Sequence, residues 1–162
     1  MCSLDPDTLK WGDRRFDHYF LSNEIRSGGK CWWEDYNNRP EAKPNVCETM
    51  ANVGATWFTS KEYWWYLGGH DETLYAWGES GPETSLKVWL SGGRMLLNKN
   101  VTFAHMFRRR FPYHINSNKI AENKIKIQEY WFNNRYPLQI HPVAWLVGKF
   151  WPVPTWEKGS LL

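Results

Sequence analysis

Two linked stretches decide the fold: Gly68-Gly69-His70-Asp71-Glu72, and Trp77-Gly78-Glu79-Ser80-Gly81-Pro82-Glu83-Thr84-Ser85-Leu86-Lys87-Val88-Trp89, closed by Gly92-Gly93. The spacing predicts a helix from about Pro82 to Ser91. Ser80-x-x-Glu83 has the capping-box pattern, Pro82 stands in the first turn where a missing N–H costs nothing, and Gly92-Gly93 ends the run. Upstream, Ser60 reads as the N-cap of a shorter helix to Leu67, stopped by Gly68-Gly69. Val53–Thr59 before it reads as a buried strand. After Gly93, Arg94–Leu97 and Val101–His105 read as short strands around the turn Asn98-Lys99-Asn100, sharing a sheet with 53–59.

Outward from this block the pattern is looser. Residues 1–50 read as an irregular, polar segment with one short helix over Arg14–Ile25, whose Phe16, Tyr19 and Phe20 lie on one side. Residues 51–115 form the dense central region. Residues 116–162 read as a helical, Pro-rich extension packed on the same domain. There Asn116–Asn118 cap a helix with a stripe of Ile120, Lys124, Ile125, Ile127, Gln128, Trp131 and Phe132. Val143–Phe150 gives a last turn or two, and Trp131, Trp145 and Trp151 cover exposed apolar faces. The fold class expected is mixed α/β.

Composition narrows the function classes. The 162 residues, 42% of them hydrophobic and 23% charged, suit one soluble domain or two small ones. No run approaches the roughly 18 apolar residues of a spanning helix, and the first residues lack the pattern of a signal peptide. Cys2, Cys31 and Cys47 are odd in number and widely spaced, which fits a reducing, cytoplasmic setting rather than a disulfide framework. The net charge of +3 is too small to point to nucleic acid. Twelve tryptophans are more than a core of this size can bury, so some indoles are expected on a surface or cleft. Such rings suit sugar faces, bases or a protein partner.

The chemistry-bearing residues each have two readings. Asp71 and Glu72 can bind sugar hydroxyls or act as acid or base, or can be a solvated acidic turn. Glu83 can face a ligand or bond back to its own helix N-terminus. His105, near the end of an apolar strand, can ligate a metal, although no second ligand stands at metal spacing in the sequence. Arg108-Arg109-Arg110 can clamp a diphosphate or form a basic turn. Asp5-Pro6-Asp7 reads as a terminal turn. No Rossmann or P-loop glycine pattern is present.

Taken in order, this block resembles the acceptor-side half of GT-A glycosyltransferases of the family-two kind, especially the polypeptide N-acetylgalactosaminyltransferases. The elements that carry the resemblance are Gly54, Lys61-Glu62-Tyr63, Leu67-Gly68-Gly69 with Asp71-Glu72, Trp77-Gly78, Glu83, Ser85, Lys87, Trp89, Gly92-Gly93 and His105-Met106-Phe107-Arg108. They span roughly residues 50–113, and Trp77 to Trp89 needs no gap. The resemblance implies sugar transfer from a nucleotide-sugar donor to a carbohydrate or protein acceptor, assisted by Mn or Mg at the nucleotide diphosphate. It implies that His105 is a metal ligand, that Trp77, Gly78, Glu83 and Arg108 bind substrate, and that Asp71 and Glu72 face the acceptor. Where inverting relatives keep a base, this chain has Gly81, so the resemblance moves that role to Glu79, Asp71 or Glu72. The strand–helix repeats that bind the nucleotide, about a hundred residues in such domains, are not seen before Gly54. The chain therefore reads as a carboxyl half, inactive alone or working with a separate amino-terminal half. The alternative is a non-catalytic carbohydrate- or partner-binding module of the same descent.

Overall fold

The fold is read from a computed structural model that describes residues 1–27, 29–74, 78–106, 110 and 112–161. It is mixed α/β, with five short strands in two sheets and four α-helices among the described residues. Among the described residues no helix is long and apolar enough to cross a membrane.

In the first sheet β1 (Cys2–Leu4) is central, antiparallel to β2 (Trp11–Arg15) and parallel to β5 (Ala104–Met106), with Ser3 opposite His105. The second pairs β3 (Val46–Glu48) with β4 (Leu96–Asn98), antiparallel, Cys47 opposite Leu97. The two strands expected to share a sheet around Asn98–Asn100 are thus divided between sheets. Each takes a partner distant in sequence, and Lys99 N donates to Asn45 O at the parting of the two.

Two further expectations are corrected. Arg14–Ile25 is not a helix: β2 ends at Arg15, and the chain then runs extended, Phe20 N donating to Cys31 O and Trp33 N to His18 O. Aromatic spacing of three and four suggests a helix, but pairing with 31–33 satisfies the same backbone groups. Residues 53–59 form no strand, because Asn52 Oδ1 accepts from Gly54 N and turns the chain, leaving Phe58 92% exposed.

The helices follow the sequence more closely. Helix α1 (Lys61–Tyr66) starts where Ser60 Oγ accepts from Tyr63 N, and it stops at Gly68 and Gly69, both at positive φ. Helix α2 (Ser80–Leu90) is buried along Gly81–Leu90. Helix α3 (Ser117–Phe132) begins with Asn116 Oδ1 accepting from Asn118 and Lys119 N. Of its expected stripe only Ile127 and Trp131 are buried, joined by Asn123, while Ile125 and Phe132 are exposed. Helix α4 (Val143–Lys149) completes the set.

The core forms where α2 meets α4. Leu86, Trp89 and Leu90 present one face of α2; Val143, Leu146, Val147 and Phe150 present the matching face of α4. Trp89 meets Phe150 edge-on at 5.5 Å, and its indole N–H donates to Thr49 O. Leu21, Ile25, Trp33, Tyr36 and Met50 fill the other side. Trp131 is fully buried among them and does not serve as an outer cover. Arg39 ties the layers together: its guanidinium donates to Phe150 O at 2.7 Å and lies over Trp33 and Tyr36.

His18 sits beside this core, fully buried, with Nδ1 3.3 Å from Thr49 Oγ1 and Nε2 3.8 Å from Cys47 Sγ. Burial, with Lys99 nearby, lowers its pKa from 6.5 to about 4. Cys2, Cys31 and Cys47 are all free thiols.

Leu86→Ala is expected to cost ~2–5 kcal/mol in urea unfolding, whereas Phe58→Ala should change stability by no more than ~0.5 kcal/mol. Because the folded pKa of His18 lies below its ordinary value, its neutral form contributes fully above pH 6.5, and that contribution declines as pH falls towards 4. Unfolding free energy should drop by ~3 kcal/mol over that window through this residue, and His18→Gln should flatten the drop.

Candidate functional site

Helix α2 is packed on every side, so its polar side chains must find partners inside the protein. Ser85 Oγ donates to Gly81 O and accepts from Asn52 N. Gly81 is required by close approach: a Cβ there would stand 2.7 Å from Asn52 O and 2.7 Å from Ser27 Oγ. Space thus explains the glycine found where the resemblance expects a base.

Glu83 does not close a capping box. The N-cap position belongs to Glu79, which makes no side-chain cap bond, and Ser80 is already helical. Glu83 turns instead to the loop after α1. Its Oε1 accepts from Asp71 N at 2.7 Å, and its Oε2 lies 2.9 Å from His70 Nδ1. One turn further, Lys87 Nζ meets Glu83 Oε1 at 2.7 Å and donates to Gly69 O at 2.6 Å. Both side chains of the pair are more than nine-tenths buried. In sequence this is only a Glu–Lys pair at i, i+4. In the fold it is a two-pronged tether that fixes Gly69, His70 and Asp71 against the side of α2.

The tethered loop forms one wall of a cleft of about 470 Å³. Its lining comes from Tyr66, Gly68, Asp71 and Leu74, from Glu83 and Lys87 of α2, and from Lys126, Tyr130 and Trp131 of α3 with residues 136–138. Tyr136 is fixed by its phenol donating to Leu67 O at 2.9 Å, and its ring lies 5.9 Å from Lys87 Nζ. Burial raises the pKa of Tyr136, and burial with the charges of Asp71 and Glu83 raises that of Tyr130, so both phenols keep their protons. Asp71 is exposed, its Oδ1 accepting from Thr73 N and Oγ1.

The sequence-derived candidates separate in the fold. Asp71 and Glu83 meet at the cleft. Glu72 is exposed on the turn beside Asp71 and does not line the cleft. Glu79 is buried one turn before Glu83; desolvation raises its pKa against the opposing pull of Arg26 and Lys124. Gly78 stands in an exposed bend at positive φ. His105 lies in β5, half-buried, and is not among the cleft residues. Trp77 and Arg108 lie outside the described residues. Among the described residues no three His, Cys, Asp or Glu side chains come together as a metal's ligands would. Sequence reasoning missed Lys126, Tyr130 and Tyr136, which stand beyond the block that drew attention.

Removing one partner of the buried pair should be far worse than removing both. Lys87→Met is expected to lower stability by ~3–5 kcal/mol, and the double variant Glu83→Gln/Lys87→Met to recover part of that loss in urea unfolding.

No family model matches the sequence. Curated relatives do. Human polypeptide N-acetylgalactosaminyltransferase 12 is 26% identical over 144 residues, 83% of this chain and 24% of its own length. Polypeptide N-acetylgalactosaminyltransferase 10 of Mus musculus is 28% identical over 130 residues, 72% of this chain and 22% of its own. Human polypeptide N-acetylgalactosaminyltransferase 3 is 30% identical over 102 residues, 62% of this chain and 16% of its own. The chain is a relative of the polypeptide N-acetylgalactosaminyltransferases, and it spans a quarter or less of the length of each.

Proposed function

We propose that this chain is the acceptor-side part of a glycosyltransferase that moves a hexosyl group from a nucleotide sugar to a carbohydrate or protein acceptor. The observation that carries the reading is the placement of Asp71. Within the block that resembles the transferases, an exposed carboxylate is held at the rim of an aromatic cleft by a buried ion pair.

In such a transfer the acceptor hydroxyl oxygen attacks the sugar's anomeric carbon. The bond from that carbon to the diphosphate breaks, and the diphosphate leaves with its electron pair. Asp71 accepts the proton the hydroxyl loses, a role that needs an ionised carboxylate within hydrogen-bond reach of the acceptor. Glu83 and Lys87 are positioning residues, since their charged groups are already engaged with each other and with the loop. Glu72 and Glu79 do not line the cleft, which makes Asp71 the carboxylate of choice. A divalent ion, when bound, would neutralise charge on the departing diphosphate; Asp71 performs its step without it. His105, implied at the diphosphate by resemblance, is not among the cleft residues.

The test is release of nucleoside diphosphate from a UDP-sugar by the purified chain combined with the nucleotide-binding amino-terminal half of a relative, with manganese and an acceptor, followed chromatographically. Release above the control should fall at least ~100-fold, the typical minimum for loss of a general base, in Asp71→Asn with unchanged thermal unfolding. His105→Ala should lower it too, by weakening donor binding. Release that is absent, or equal in the wild type and Asp71→Asn, would remove this reading.

A further inference from the structure

We propose that the cleft binds a neutral oligosaccharide directly, with the ring of Tyr66 as its stacking platform and without metal or nucleotide. This names the acceptor class for the site proposed above and rests on that reading.

Charge supports a neutral ligand. The cleft's ionised groups are Asp71 and Glu83 against Lys87 and Lys126, two of each sign, and Glu83 and Lys87 neutralise one another. A phosphorylated or strongly acidic ligand would find no excess of positive charge. The Tyr130 phenol keeps its proton and adds a donor, while that of Tyr136 is already given to Leu67 O, so the cleft offers polar groups around apolar rings. That combination matches a pyranose, whose C–H face is apolar and whose edge carries hydroxyls.

The architecture of the walls argues against an extended peptide as the occupant. Among the described residues every lining residue lies in a helix or a loop, and no strand edge borders the cleft. An extended peptide gains much of its affinity by pairing its backbone with such an edge. A sugar needs only a flat ring and scattered hydrogen-bond partners.

Tyr66 supplies the ring in a fixed orientation. It lines the cleft yet is 59% exposed, and it stacks on Tyr63 at 6.1 Å and 22° between planes. Tyr63 is itself seated on the end of α2, where its phenol oxygen stands 2.2 Å from the place a Cβ at Gly93 would occupy. The platform is therefore held before any ligand arrives, which reduces the ordering cost of binding. Tyr130 and the exposed Lys126 of α3 bring a second ring and an ammonium donor.

The experiment is saturation-transfer NMR and calorimetry on the whole chain in EDTA, with lactose, maltotriose and N,N′-diacetylchitobiose as probes and a Ser/Thr-rich peptide as competitor. At least one oligosaccharide should bind with a millimolar Kd. Tyr66→Ala should raise that Kd about tenfold, Tyr66→Phe should retain binding, and circular dichroism should be unchanged in both. Binding by none of the three sugars, or binding indifferent to Tyr66→Ala, overturns the inference. Displacement of the sugar by the peptide at lower concentration assigns the cleft to peptide and overturns it as well. The transferase reading survives any of these results if UDP-sugar turnover still depends on Asp71, so the two failures are distinguishable.

Discussion

A helix surrounded by protein cannot leave a charge or a hydroxyl without a partner, and α2 meets that constraint along its whole buried length. Ser85 is bonded to Gly81 and Asn52, Thr84 to Ser80, and Glu83 to Lys87, His70 and the backbone of Asp71. The partners outside the helix, Asn52, His70 and Asp71, come from the segments that must be placed around it. The cost of burying polar groups thereby becomes the means of positioning the loop at Gly68–Asp71 and the turn at Asn52. At the far end of the helix, Leu90 O accepts from Ile140 N and His141 N, which anchors the chain leading into α4.

The same constraint explains why the candidate carboxylates fall into different roles. Glu83 is buried, and its charge is tied to Lys87, so it stabilises the loop and has little left for a ligand. Asp71 receives its position from Glu83 through its backbone N–H, and its side chain remains at the surface. Glu79 is buried at the N-cap position, where desolvation favours its protonated form. Three acids within thirteen residues are thus differentiated by depth and partners, not by their order in the chain. The aromatic excess is divided in a similar way. Trp33, Trp89 and Trp131 build the core, while Trp65, Tyr66 and Phe58 remain exposed around α1 and the cleft mouth.

Helix signals were legible because they are local. Ser60, Gly68-Gly69, Asn116 and the run Val143–Phe150 act over three or four residues, and each marks an element boundary within a residue or two. Strand pairing was not, because β1 must meet β5 about a hundred residues away and β3 must meet β4 about fifty away, with only three residues in most strands to carry a pattern. The aromatic spacing at Phe16, Tyr19 and Phe20 misled for the same reason: its partners at 31–33 are supplied by tertiary structure.

By itself the sequence determined the central helix, its glycine stops, and the kinship carried by the block from Gly54 to Arg108. Those features depend on neighbours within a few turns of chain or on an ordered motif. Only the tertiary structure decided that Glu83 holds a loop instead of capping its helix. Likewise, only the fold could show that Gly81 is demanded by a neighbouring carbonyl, or that Tyr130 and Tyr136 line one cleft with Asp71. Each of these depends on which groups are brought together once water is excluded from around α2, and spacing along the chain does not encode that.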